Sequence, residues 1–315
     1  MTLWAHQRQA VEFVRELTLR GSGRSLICMP PGSGKSEIAI ASVLDWLSTS
    51  CMHRAVVCVP SNRLLAQFYY RLVRLTSERI DFEQGQRRAS RYSRLTLASQ
   101  LSLVDRLNSY DDNAIVVIDE AHHSSYDAPI FNSVLSTFRR AIGLTATPWT
   151  NGLVKLFQRS YFYGITEAIN DRVVSPIEIV RAETLEPSAH PLTLVFVATN
   201  EAARLMSQRF PKSDWIGHSR DDSENFAALD RWKSCRTNTL FSNRMLLEGY
   251  DLPDIDSIWI DMNIKSHVMC AQVMGRALRY REGKKARIFV LSDETEHTAR
   301  QALRMLDLKP RQRIV

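Results

Sequence analysis

Short runs of consecutive apolar residues, rich in Val, Ile and Leu, recur along this chain with helix-length amphipathic stretches between them, in two successive series. A run that is apolar at every position, rather than at every second one, belongs to a strand covered on both faces. Strands of that kind alternating with helices build a parallel sheet. In the first half the candidate strands are 25–29, 55–59, 95–98, 115–118 and 141–144, and apolar residues recur at three- and four-residue spacing over 7–19, 37–47 and 64–75. The pattern then restarts, with strands at 192–197, 239–241, 257–260 and 287–291 and helical stretches at 201–209, 223–233 and 268–278. The expected fold is α/β, with two tandem domains, each a mostly parallel sheet with helices on both faces. A chain of 315 residues exceeds one comfortable core. The expected division is 1–165 and 192–315, joined by a connection at 166–191 that contains Pro176, Pro187 and Pro191.

The formal net charge is +7, and 33 of the 41 basic residues are arginine. Such a balance fits either a phosphate-rich partner or a solvated basic surface. Because no apolar run reaches about 18 residues and Met1 leads into an amphipathic segment instead of a signal peptide, a soluble, intracellular protein is expected, not a secreted or membrane one. The five cysteines, at 28, 51, 58, 235 and 270, lack paired CxxC spacing and read as reduced filler thiols.

Met29-Pro30-Pro31-Gly32-Ser33-Gly34-Lys35-Ser36 lies between an apolar strand and a helical pattern, the setting a phosphate-binding loop requires. Glycines let backbone amides turn inward on phosphates, and the following helix offers its positive end. Pro31, Gly32, Ser33, Gly34, Lys35 and Ser36 are the candidate nucleotide-binding residues, with Lys35 on the β and γ phosphates of ATP and Ser36 on Mg²⁺. Met29 stands where the full GxxxxGKS pattern begins with Gly. Downstream, Ile115-Val116-Val117-Ile118-Asp119-Glu120-Ala121-His122 is an apolar strand that delivers two acids at its carboxyl end, where open α/β sheets place ligands. Asp119 suits Mg²⁺ and Glu120 suits the attacking water.

Asp119-Glu120-Ala121-His122 resembles motif II of the DEAH-box superfamily 2 helicases, and the other motifs of that superfamily follow in order. Leu144-Thr145-Ala146-Thr147-Pro148 is similar to motif III, the stretch 59–67 to motif Ia, and Gln7 to the adenine-reading glutamine. In the second half 194–199 resembles motif IV, 246–253 motif V and 272–279 motif VI. Details around Trp149, Glu248, Gly249, Tyr250 and Asp251 look most like the branch holding the repair helicase of transcription factor IIH, phage branch-migrating helicases and restriction-enzyme motors. The resemblance implies two RecA-like domains of the P-loop NTPase kind. The first would carry motifs Q, I, Ia, II and III and the second motifs IV, V and VI.

What the family does implies an ATP hydrolase stimulated by nucleic acid, a helicase or translocase that favours DNA over RNA. Lys35, Asp119, Glu120, Gln272, Arg276 and Arg279 would be catalytic, with both arginines reaching the γ phosphate from one face of a helix. Gln7, Gly249 and Asp251 would join the nucleotide site, and Ser36 with Asp119 would hold Mg²⁺. His122, Thr145 and Thr147 would couple hydrolysis to movement. Pro60, Asn62, Arg63, Thr199 and Asn243 would touch the strand, although Asn243 stands where relatives usually have threonine. A compartment holding nucleic acid, cytoplasmic or other, is implied.

Arginines 87, 88, 91 and 94 form one basic stretch, and Arg276, Arg281, Lys284, Lys285 and Arg287 another; the first fits a solvated loop as well as a backbone contact. Trp149 and Tyr126 fit base stacking or packing. With Gln7 near the start and 36 residues beyond Arg279, a nearly bare motor is expected, and the 20 residues between Asp251 and Gln272 are too few for a long strand-separating hairpin. Translocation, annealing, short-duplex opening or branch migration fit better than long unwinding, or a protein partner supplies a wedge or targeting. The rival readings are an ATP-gated clamp with little turnover and a P-loop kinase of small molecules.

Overall fold

The computed structural model describes residues 2–21, 23–124, 128–149, 152–187, 192–246, 250 and 252–310. The chain divides into two compact units, one holding most of the residues up to Gly164 and the other running from Ile165 to Leu308.

In the first unit, seven strands form one sheet: β1 (Arg24–Cys28), β2 (Arg54–Val59), β3 (Ile80–Glu83), β4 (Leu95–Ser99), β5 (Ala114–Ile118), β6 (Arg140–Thr145) and β7 (Arg159–Phe162). Their order is β3-β4-β2-β5-β6-β1-β7, and every pairing is parallel. Burial explains why the central members read so plainly in the sequence: all five residues of β5 are buried, so both of its faces need apolar side chains. On one face Leu26, Cys28, Val56, Cys58, Val116 and Ile118 pack with Leu103, Leu135 and Phe138. On the other side α2 (Lys35–Thr49) buries Ile38, Ala39, Val43 and Trp46 and runs against β2, β5 and β6. The helical pattern at 7–19 resolves into α1 (Ala5–Val14) followed by a π-helical stretch, Arg15–Arg20.

The second unit repeats the plan with six parallel strands: β8 (Ile177–Arg181), β9 (Thr193–Val197), β10 (Ser213–Ile216), β11 (Thr239–Ser242), β12 (Ser257–Asp261) and β13 (Ala286–Val290), in the order β10-β11-β9-β12-β13-β8. The stretch 166–191 contains more than a connection. Ile165–Asn170 is helical, and β8 pairs along its length with β13. The helix His267–Gly275 ends earlier than its periodicity suggests. Arg276 is its C-cap, and Arg279 lies in an isolated antiparallel bridge with Val174. Ser175 fixes this extended exit by donating its backbone N–H to Leu278 O at 2.9 Å and its hydroxyl to Arg279 O at 2.9 Å. Arg276 and Arg279 therefore do not share a helix face, which corrects the expectation drawn from their spacing. Among the described residues no helix is long and apolar enough to cross a membrane.

Candidate nucleotide site

Parallel pairing aligns the carboxyl ends of β1, β5 and β6, so the residues that follow each strand meet along one edge of the first sheet. After β1 the chain turns through Gly32 and Gly34, whose φ angles of 81° and 82° lie in the left-handed region where a side chain is disfavoured. Gly34 is the N-cap of α2, which places the helix's unpaired amides at the loop. A Cβ built on Gly34 would sit 2.3 Å from Gln7 Nε2, so the Gln7 amide lies directly against the loop. Gln7 is held there by the Trp4 backbone N–H, which donates to its Oε1 at 2.9 Å.

Lys35 opens α2 and is buried. Its ammonium donates to Met29 O at 3.1 Å and Pro30 O at 3.2 Å, two carbonyls the sequence reading did not single out. Burial lowers its pKa, while the nearby charges of Glu120 and Asp119 oppose that shift. A lysine held by neutral carbonyls, with carboxylates close by, keeps its charge available for an anion entering the loop.

Beyond β5, Asp119 is buried and its backbone N–H donates to Cys58 O at 2.9 Å, tying the acid to the neighbouring strand. Glu120 follows at φ 48°, a left-handed conformation that costs a non-glycine residue of order 1 kcal/mol. Local bonds hold it: the Glu120 N–H donates to Asp119 Oδ1 at 3.0 Å, and the His123 N–H donates to Glu120 O at 2.9 Å. The sharp turn keeps Asp119 enclosed and leaves the Glu120 side chain about a quarter exposed. His122, buried, sets Nδ1 at 3.4 Å from Glu120 Oε2 and 3.3 Å from Thr145 Oγ1. Thr145, at the end of β6, accepts the Thr147 N–H at 3.0 Å, and its own carbonyl accepts the Met29 N–H at 3.1 Å. Lys35, Asp119, Glu120, His122, Thr145 and Thr147 are thus joined through one edge. Burial pushes the Cys58 thiol beside them up to about 12, leaving it unreactive.

The remaining candidates lie elsewhere. Pro60 and Arg63 are half-buried and Asn62 is exposed at the carboxyl end of β2, where Ser61 caps α3 (Asn62–Leu72) by accepting the Leu64 N–H at 3.3 Å. In the second unit Thr199 is exposed and caps the helix Asn200–Arg209, accepting the Ala202 N–H at 3.0 Å. Asn243 follows β11 with an enclosed Oδ1 that finds no hydrogen-bond partner among the described residues. Gln272 and Arg276 are half-buried, Arg276 donating to Tyr250 O at 3.1 Å, and Arg279 is exposed. Gly249, Asp251 and Tyr126 lie outside the described residues. Trp149 is half-buried with its indole Nε1 enclosed, the surroundings of a packing residue.

The basic cluster at 276–287 is largely internally paired. Lys284, 2 % exposed, pairs with Asp254, while Arg281 pairs with Asp254 at 3.1 Å and with Asp256. Arg287 lies 3.8 Å from Glu178. These acids were not singled out from the sequence, because each sits on a different segment from its cation.

Comparison with known proteins agrees with this arrangement. Residues 1–150 match the family described as Type III restriction enzyme, res subunit. With its motifs, the chain is consistent with a superfamily 2 helicase. It is 24 % identical, over 84 % of its length, to a protein named as helicase 22 of Sulfolobus islandicus filamentous virus (isolate Iceland/Hveragerdi). It is 21 % identical, over 89 %, to a protein of Saccharomyces cerevisiae named as the ATP-dependent helicase IRC3. The chain spans 59 % and 50 % of the length of these two relatives. Among solved structures, the Type ISP restriction-modification enzyme LlaBIII bound to DNA superposes with a TM-score of 0.80 at 16 % identity, covering 98 % of this chain and 30 % of that one. S. cerevisiae Dbp5 bound to RNA and ADP BeF3 gives 0.65 at 13 % identity, covering 98 % and 93 %. The fold is that of two tandem RecA-like domains, as expected.

Proposed function

We propose that this chain is an ATP hydrolase driven by nucleic acid, a helicase or translocase in which ATP turnover in the first RecA-like domain is converted into movement along a strand. The observation that carries this reading is the buried edge where Lys35, Asp119, Glu120, His122 and Thr145 converge after three adjacent strands.

The residues present fit a magnesium-bound triphosphate. Gly32 and Gly34 open the loop to backbone approach, Lys35 supplies an enclosed positive charge, and Asp119 offers a buried carboxylate close to it. Ser36 and Asp119 would hold Mg²⁺, which supplies charge neutralisation to the phosphates. Gln7 reads the base from its seat on the loop. Glu120, the one acid of the pair with an exposed carboxylate, orients and deprotonates the attacking water. His122 and Thr145 touch both that acid and the β6 exit, so a change at the phosphate end is felt at Thr147.

From the second domain, 192–315 with 166–191 leading into it, Arg276 and Arg279 complete the reaction by neutralising charge on the transferred phosphoryl group, with Gln272, Gly249 and Asp251 contributing to the same nucleotide. A guanidinium held by an extended segment packed against Ser175, rather than by a helix, has its position set by the fold of the second domain. Pro60, Asn62 and Arg63 grip the strand on one domain, Thr199 and Asn243 on the other.

The proposed substrate is DNA in preference to RNA, as the motif resemblance implies. The test is ATP turnover titrated with single-stranded DNA, duplex, forked DNA and RNA at two salt concentrations. The proposal expects stimulation by nucleic acid, strongest with DNA and weaker at high salt. Turnover indifferent to every polymer would refute it.

A further inference from the structure

The basic stretch between β3 and β4 is built very differently from a solvated loop. Its two acids, Asp81 and Glu83, are buried, 9 % and 3 % exposed, and face the loop's own backbone. The Ser90 N–H donates to Asp81 Oδ2 at 3.1 Å and the Ala89 N–H to Glu83 Oε1 at 3.0 Å. Gly85 is tied down as well, donating its N–H to Ser102 Oγ at 3.0 Å, and Gln84 bridges Arg87. Asp81 also accepts from Arg79 Nε at 2.9 Å, and Glu83 lies 3.8 Å from Arg88 and 3.9 Å from Arg106, so both acids are answered by amides and by arginines. What remains outside is cationic.

The four arginines divide into two kinds. Arg94 is structural: it pairs with Glu78 and donates to the carbonyls of Leu47 and Ser50. Arg88 donates to Gly85 O at 2.7 Å and lies 3.8 Å from Glu83. Arg87 and Arg91 are exposed, with no carboxylate in ion-pair range among the described residues, and each lies over a ring: Arg87 5.8 Å from the Phe82 centroid, Arg91 4.7 Å from the Tyr92 centroid.

Those rings continue a ladder. Phe82 is 5.3 Å from Tyr69, and Tyr69 is 5.6 Å from Tyr70. Tyr70 is 64 % exposed and Tyr92 75 %. Tyr69 and Tyr70 sit near the end of α3, whose first residues are Asn62 and Arg63, so the ladder begins about 12 Å from that end of the helix. Register divides the loop: β2, β4 and β3 are successive parallel neighbours, so Arg87 leaves the sheet by the same edge as Arg63, while Arg91 and Tyr92 lie toward the opposite edge, where β4 begins.

We infer that the Tyr70–Phe82–Arg87 ladder and the anchored loop with Arg91 and Tyr92 form a second contact surface for single-stranded nucleic acid, extending the grip of Asn62 and Arg63 by further phosphate and base contacts. The inference rests on the nucleic-acid reading above. Exposed rings beside guanidinium groups that meet no carboxylate among the described residues, Arg91 donating to the Tyr92 hydroxyl, suit a sequence-tolerant strand, since bases stack on rings while phosphates meet arginines. Asp81 and Glu83 are positioning residues that fix the loop from beneath.

The experiment is equilibrium binding of a fluorescent oligothymidine to the full chain over a series of salt concentrations, comparing wild type with the double variant Arg87→Gln/Arg91→Gln. The control, Arg204→Gln/Arg300→Gln, removes the same charge from two exposed arginines already paired with Glu201 and Glu296. Losing two phosphate contacts lowers the slope of log affinity against log salt by about 1.4 and weakens binding tenfold or more near 0.1 M salt, about 0.7 per contact on single strands. The control keeps the wild-type slope. A second variant, Asp81→Ala, removes a negative charge yet binds more weakly, because the loop loses its anchor; tighter binding by this variant would overturn the positioning role. A double variant with unchanged affinity and slope overturns the surface, and so does a loss confined to binding of poly-glutamate. Wild type that binds no oligonucleotide would instead overturn the nucleic-acid reading itself.

Discussion

Lys35 and Lys284 are both buried lysines, and burial lowers the pKa of each, yet they sit in opposite circumstances. Lys35 stands at the carboxyl edge of the first sheet, held by the carbonyls of Met29 and Pro30, with Asp119 and Glu120 acting on it only through space. Lys284 precedes β13 at the amino edge of the second sheet, where Asp254 bonds it directly and the Arg279 carbonyl accepts from it at 3.1 Å. A charge answered by its own carboxylate is structural. A charge cradled by dipoles beside a glycine loop fits the proposed role of holding a phosphate.

The contrast breaks if the two lysines respond alike to removal of what they serve. Lys35→Ala, or Glu120→Gln beside it, is expected to abolish nucleic-acid-stimulated ATP turnover while circular dichroism shows a retained fold. Turnover at the wild-type level in either variant would remove the site. Asp254→Ala leaves Lys284 enclosed without its counter-charge and is expected to lower stability by about 3–5 kcal/mol in denaturant titration. A loss below about 1 kcal/mol would show the pair to be ornamental.

The smallest effect concerns a third buried charge. Burial raises the pKa of Glu83, so the folded state holds its proton more tightly than the unfolded one. Folding then binds a proton in the window just above the usual carboxylate range, and stability falls as pH rises through it. Glu83→Gln removes that slope, so its stability relative to wild type should improve as pH climbs from about 4.5 upward. Parallel pH profiles of the two proteins would contradict this.

Much of this architecture is legible in the residues, and what escapes reading has a common cause. Each of the nine strands expected from apolar runs forms, whereas β3, β7, β8 and β10 were missed, and these four are the edge strands of the two sheets. An interior strand such as β5 needs apolar side chains on both faces, but an edge strand such as β10, Ser213–Ile216, is short and half exposed, so its sequence carries little signal. The helix Asp293–Met305 was also missed, although Ser292 followed by Asp293, Glu294 and Glu296 is a readable helix start. The loop glycines, Lys35, Asp119 and Glu120 were singled out from local strand-end patterns, and Gln7, His122 and Thr145 from the family resemblance; the structure places all of them along the first sheet's carboxyl edge. The early end of the helix His267–Gly275 depends on Ser175, a partner distant in the chain, and the left-handed turn at Glu120 leaves no mark on the apolar pattern. The two basic clusters looked alike in sequence; only pairing with Asp254, Asp256 and Glu178 separates the structural one from the outward-facing one.

The proposed chemistry is divided: Lys35 and its neighbours would hold the triphosphate, and Arg279 would make its cleavage fast. Its most direct test measures Arg279→Ala twice, for affinity toward a non-hydrolysable ATP analogue with Mg²⁺ and for turnover at saturating single-stranded DNA. The account predicts an unchanged dissociation constant and turnover reduced by about 10³-fold. Wild-type turnover, or analogue affinity lost in step with turnover, would contradict it.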